Sequence, residues 1–157
     1  MIMRTALFLI LLAGACKKDA PALSAEDRES AMGAAKQCTD SVASLAPSYQ
    51  MVGPKLATAL QMDRNEAQRL MRDSIELLIS TRELLCNVSI ATIDGVLEKA
   101  PSDEQTLGAK ARVKAASDKL AVVRSTYDKL LGAASSAQAP VDQDALLERF
   151  SKALVGP

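Results

Sequence analysis

The chain contains no histidine and no tryptophan, and only two tyrosines and two phenylalanines among 157 residues. Without histidine there is no Ser-His-Asp triad and no Glu-x-x-His pair of the kind that builds di-iron bundles, and the commonest general base and metal ligand are gone. Neither sign of charge is in excess, because 19 basic residues balance 19 acidic ones. A neutral chain offers no global attraction to nucleic acid. Phosphate-cradling glycine loops, Cys-x-x-Cys pairs and Ser-x-x-Lys nucleophile motifs are missing as well. Aromatics make up 3% of the chain, so the core must be built from Ala, Leu, Val, Ile and Met, a palette that suits closely packed helices. These absences lead to the expectation of a non-enzymatic protein with no cofactor, no metal and no nucleic-acid partner.

Apolar runs are also short. The longest, at the start, covers about 11 residues and falls well below the roughly 20 that a spanning helix needs. It follows Arg4 and reads Thr5 to Ala15, the pattern of a secretory signal. It ends in Leu12-Ala13-Gly14-Ala15-Cys16. This ending resembles the lipobox of bacterial lipoprotein precursors, although Ala13 stands where that family usually has Leu. The resemblance covers these sixteen residues alone. It implies cleavage before Cys16, so that residues 1–15 are a signal peptide, and it implies lipidation of Cys16 with diacylglyceryl and acyl (palmitate-type) chains. Such a pair of chains makes a stable membrane anchor. By the family's sorting rule, Lys17 rather than Asp after the cysteine implies the outer membrane. Residues 16–23, with Lys17, Lys18 and Pro21, read as a lipidated tether.

The remaining residues, 24–157, read as one all-α domain. Ser24 with Asp27 marks a helix start. Ala31, Ala35, Cys38, Val42 and Leu45 then follow at helical spacing. Pro47 and Gly53-Pro54 predict that this first arm is kinked or broken before about residue 61. Asp63 with Glu66 opens a central helix expected to reach Lys99. That helix carries two apolar stripes, one of Ile75, Ile79, Cys86, Ile90, Ile93 and Leu97, the other of Met71, Leu78, Leu85 and Val88. Both are expected to be covered. Ser102 with Gln105 reads as the next capping box. After it, Thr106, Ala109, Val113, Ala116, Leu120, Val123, Tyr127, Leu130 and Ala134 form a seam of alternating three- and four-residue steps. A last short helix, 142–155, presents Leu146, Leu147, Phe150 and Leu154. The expected architecture is an antiparallel bundle of three long helices plus a short C-terminal one. A four-helix bundle is the alternative if Gly53-Pro54 turns the chain fully.

With Cys16 assigned to lipid, Cys38 and Cys86 remain. Each lies 24 residues from Met62, on opposite sides of it, so an antiparallel fold near Met62 brings them to one height on facing apolar stripes. An exported chain sits in an oxidising compartment. A Cys38–Cys86 disulfide is therefore predicted.

Other polar groups carry weaker signals. Glu76 with Glu83, or Asp94 with Glu98, has the makings of a carboxylate pair. Lys110, Arg112, Lys114 and Lys119 cluster on one helix, but interspersed acids favour a solvated face. Met51, Met62 and Met71 are expected to fill core near the turn. The functional expectation is a bundle anchored through Cys16 in the bacterial cell envelope, binding a protein partner or serving a structural role there. A small apolar ligand carrier with a slot at Gly53-Pro54 is the second possibility. A hydrolase working with carboxylates alone is a remote third.

Overall fold

Ser24 caps the first helix as its position predicts. Its backbone is extended, its hydroxyl accepts the Asp27 amide at 3.0 Å, and it donates to the Asp27 carboxylate at 2.8 Å. The helix it starts, α1, spans Ala25–Ala43 and is followed by α2 at Leu45–Met62 and α3 at Arg64–Leu70. A π-helical segment, Met71–Ile75, joins α3 without interruption to α4 at Glu76–Lys99. The long α5 covers Glu104–Ser135 and α6 covers Gln143–Val155. This computed structural model describes residues 23–136 and 143–156, and among them there is no strand. The signal segment, Cys16, the tether before Leu23 and the expected helix start at Asp142 lie outside the described residues.

The fold is the expected all-α antiparallel bundle. α1 and α4 run antiparallel, shown by Lys99–Asp27 at 2.7 Å near one end and Cys38–Cys86 farther along. α4 and α5 are also antiparallel, linked by Lys110–Asp94 at 2.7 Å and by Arg124 to Glu83 at 2.7 Å. At the end that holds Leu23, three helices (α1, α4, α5) enclose the core. At the other end α6 packs on both α5 and α2, and the cross-section becomes four-helical. All nine seam positions of α5 are buried, as their spacing predicts.

Several local expectations need correction. The first arm does break where Pro47 predicts: with no Pro47 N–H for the Ala43 carbonyl, α1 ends at Ala43, and Pro47 sits in the first turn of α2 where a missing N–H is harmless. α4 supports the break. The Arg82 guanidinium donates to the Ser41 carbonyl at 2.9 Å and to the Ser44 hydroxyl at 2.8 Å, satisfying the end of α1. Gly53-Pro54 does not break α2, and Pro54 lies inside it. Gly53 is needed there, because a Cβ at this position would come within 2.8 Å of the Tyr49 ring.

The central helix is continuous from Arg64, with Asp63 accepting the Asn65 and Glu66 amides, but Glu66 turns to Arg69 instead of closing a capping box. Its π segment has a packing reason. Ala67, Met71, Ile75 and Ile79 are all buried at four-residue steps. Each such step overshoots one α-helical turn by about 40°, and the wider π turn returns the last of them to the core. Of the second predicted stripe only Met71 is fully buried, while Val88 is 55% exposed. Met51 and Met62 are 74% and 82% exposed, so they do not fill core.

Asp103, not Ser102, caps α5: its carboxylate accepts the Thr106 amide at 3.0 Å and the Thr106 hydroxyl at 2.8 Å. The same carboxylate receives Arg28 Nε at 3.0 Å. Asp27, Lys99, Arg28 and Asp103 thus tie three helices together at one end. Lys99, then Ser24, holds the Asp27 carboxyl below its ordinary 3.8. Thr106, then Arg28, does the same for Asp103. Groups depressed in the folded state stabilise it above their unfolded pKa, and that stability is lost as pH falls through the folded value. With no histidine to titrate near neutrality, the melting temperature is expected to stay level from about pH 6 to 8 and to fall below about pH 4. Asp103→Asn should flatten part of that fall, whereas Ser102→Ala should leave the melting profile unchanged. Thermal melts across pH test both.

Candidate functional site

The polar side chains of α4 and α5 converge on one flank of the bundle. Arg124, on α5, reaches across to two carboxylates seven residues, or about two turns, apart on α4. Its Nη1 donates to Glu76 at 2.6 Å, and Nε and Nη2 donate to the two Glu83 oxygens at 3.0 and 2.7 Å. Glu83 first, then Glu76, raises the pKa of the guanidinium. The guanidinium carbon also stands 5.6 Å from the centre of the Tyr127 ring, a cation–π contact. The Tyr127 hydroxyl donates to the Met71 carbonyl at 3.2 Å, in the π segment. Burial first, with the Glu76 charge adding, pushes that phenol up to about 12.

The predicted pair Glu76 and Glu83 is therefore brought together, but by a cation that occupies both. Asp94 of the other pair is held by Lys110 on α5. Lys114 turns to Asp118 at 2.7 Å on its own helix, and Lys119 donates to the Gly156 carbonyl past the end of α6, so the predicted basic cluster is dispersed among separate partners. Among the described residues no group of His, Cys, Asp or Glu is placed to hold a metal ion. The Arg124 network is a brace between α4 and α5. Arg124→Met is expected to cost about 2 kcal/mol, because it leaves two half-buried carboxylates facing each other. Urea unfolding measures this, and Glu83→Gln in the same background should recover part of the loss.

Clefts on this flank are open. One of about 280 Å³ is lined by Glu83, Cys86, Asn87, Ser117, Leu120 and Ala121. The Ser117 hydroxyl there is buried without a hydrogen-bond partner. A more apolar groove of about 540 Å³ runs along Ile90, Leu107 and Ala111, edged by Lys110, Lys114 and Asp118. At Gly53-Pro54, where a slot is expected, the Tyr49 ring covers Gly53. The cleft beside Pro54 is a solvent-open groove of about 440 Å³ that includes Lys55, Thr58 and Glu66.

Three of the exposed large apolar side chains line one face of α4. Leu77 and Leu84 are each 64% exposed and Val88 is 55% exposed. Thr81, Ala91 and Gly95 on the same helix are exposed too. The sequence signal for this face was the second apolar stripe, displaced by a residue. No helix among the described residues is long and apolar enough to cross a membrane.

The molecule is thus a disulfide-clamped, all-α helical bundle with one long helix presenting an apolar outer face. No family model, no curated protein and no solved structure matches the chain.

Proposed function

We propose that this chain is an exported lipoprotein, anchored through lipid on Cys16 at the bacterial outer membrane, that acts as a non-enzymatic protein-binding or structural module of the cell envelope. The support at the start of the chain is Arg4, the short apolar run and the Leu12-Ala13-Gly14-Ala15-Cys16 ending. Cys38 and Cys86 add to it, since a structural disulfide suits a compartment outside the cytoplasm. The observation that carries the binding role is the uncovered face of α4, where Leu77, Leu84 and Val88 stand in solvent on one side of a single helix. A small apolar ligand is the second reading, favoured by the groove along Ile90, Leu107 and Ala111.

Lipid anchoring is tested by labelling cells with radioactive palmitate. The chain should take up label and sediment with membranes, and Cys16→Ser should lose the label entirely and appear in the soluble fraction. A wild-type chain without label, recovered in the soluble fraction, would overturn the anchor.

A further inference from the structure

The exposed side chains of α4 follow a rule. Leu77, Thr81, Leu84, Val88, Ala91 and Gly95 succeed one another at steps of four and three, and every one of them is exposed. The buried positions Ile79, Cys86 and Ile93 lie on the opposite side of the helix. α4 thus carries a second seam of coiled-coil type, facing away from its own bundle. In heptad terms Leu77, Leu84 and Ala91 are d positions and Thr81, Val88 and Gly95 are a positions. The flanking e and g positions from Leu78 to Thr92, namely Leu78, Ser80, Leu85, Asn87 and Thr92, carry no charge. In a chain that is 24% charged, an uncharged strip of this length on a solvent-facing helix calls for a partner.

We infer that this face binds a second copy of the same chain, with the two α4 helices parallel about a twofold axis. The pattern of side chains selects that occupant. In a parallel coiled coil, β-branched residues at a with Leu at d favour two strands over three or four, and Thr81 and Val88 with Leu77 and Leu84 supply that combination. Charge agrees. A parallel pair sets position g of one helix against position e of the following turn on its mate, which places Asp94 opposite Lys99 of the other copy, twice over by symmetry. Both residues are partly exposed, and each already sits at ion-pairing distance from a partner within the chain, Asp94 from Lys110 and Lys99 from the half-buried Asp27. An antiparallel pair has no such match, because it sets Asp94 against Ser80 and Lys99 against Met71. Ala91 and Gly95 let the helices approach closely at the end that holds Leu23.

Tether length gives a third argument, which rests on the anchoring reading above. Leu23 lies at the Lys99 end of α4, and Cys16 is seven residues before it. Seven extended residues reach about 25 Å. In a pair standing upright on the membrane, an antiparallel mate would carry its own Leu23 to the far end of a 24-residue helix, about 36 Å away and beyond the reach of its tether. A parallel mate puts both anchors at one end. Two linked anchors also hold more firmly than one.

The experiment uses the full chain in its native membranes, with Leu77→Cys, Leu84→Cys or, off the seam, Lys55→Cys, under mild copper-catalysed oxidation. Leu77→Cys and Leu84→Cys should each give at least tenfold more covalent dimer than Lys55→Cys, and adding Val88→Lys should abolish the excess. Sedimentation of the detergent-solubilised wild type should give twice the monomer mass, and Leu84→Lys should give one monomer mass with unchanged helicity. Cross-links no stronger than those of Lys55→Cys, together with a monomeric wild type, would overturn the dimer. So would a Leu77→Cys chain that cross-links only when Gly95→Cys is also present, which is the antiparallel outcome. Palmitate label on the same samples reads the anchor separately: parallel cross-links in an unlabelled chain keep the dimer and remove the anchor.

Discussion

Breaking the Cys38–Cys86 bond is expected to lower the melting temperature by roughly 10 °C. The bond closes a loop between residues 48 apart, with Cα atoms 4.7 Å apart, between α1 and α4. Chain-entropy arguments assign a loop of that length about 4 kcal/mol. Each kcal/mol moves the midpoint of a domain this size by about 2–4 °C. Both cysteines are almost inaccessible, at 0% and 1% exposure, so dithiothreitol should act only on opened molecules. Cys38→Ala with Cys86→Ala avoids that delay. The double variant should remain helical at 25 °C, because Arg82 still holds Ser41 and Lys99 still holds Asp27 across the same interface. Calorimetry of the oxidised chain, the reduced chain and the double variant makes the comparison. A shift under about 2 °C in all of them would mean that α1 and α4 are held in register by other contacts.

Phe150→Ala is expected to cost about 3–5 kcal/mol and to release α6 from the bundle. Phe150 is fully buried, meets Tyr49 edge-on at 5.3 Å between ring centres, and lies 6.3 Å from Tyr127. It therefore joins α6 to both α2 and α5. α6 has 13 residues, too few for an isolated helix to persist in water. Its helicity depends on what Phe150 and Leu154 bury. Burial also raises the Tyr49 phenol above its usual 10, with the Ser151 hydroxyl of α6 pulling the other way. Loss of α6 should bring that phenol back toward 10, which a spectroscopic titration at alkaline pH reads directly. Hydrogen exchange should show α6 amides losing protection before those of α5, and Phe150→Leu should retain most of the stability. If Phe150→Ala costs under 1 kcal/mol in urea unfolding, α6 does not occupy this place.

Much of this architecture is local and therefore legible in the sequence. Ser24 and Asp63 cap helices because a short polar side chain reaches its own third amide, whatever the rest of the chain does. The α5 seam is set by a strict alternation of three and four residues, which places nine side chains on one side of any α-helix. The Cys38–Cys86 pair follows from counting, because a uniform rise per residue converts equal sequence distances from a turn into equal heights.

What the sequence left open was decided by residues far along the chain. The break at Ser44 follows from Pro47, which has no N–H for the Ala43 carbonyl four residues back, but the support that Arg82 gives it from 38 residues away is not written in any local rule. Asp103 caps α5 through the Thr106 amide and hydroxyl, and Arg28, 75 residues distant, meets the same carboxylate from α1. The π segment exists because Ala67, Met71, Ile75 and Ile79 must all reach the same core. The two stripes of α4 look equivalent in one dimension. In three dimensions, α1 and α5 cover only one flank of that helix, so packing buries Ile79, Cys86 and Ile93 of the first stripe, half-covers Leu78 and Leu85 of the second, and leaves Val88, with Leu77 and Leu84 beside that stripe, in solvent. Periodicity names a face that prefers to leave water, but only the count and placement of neighbouring helices determine whether the same chain covers it.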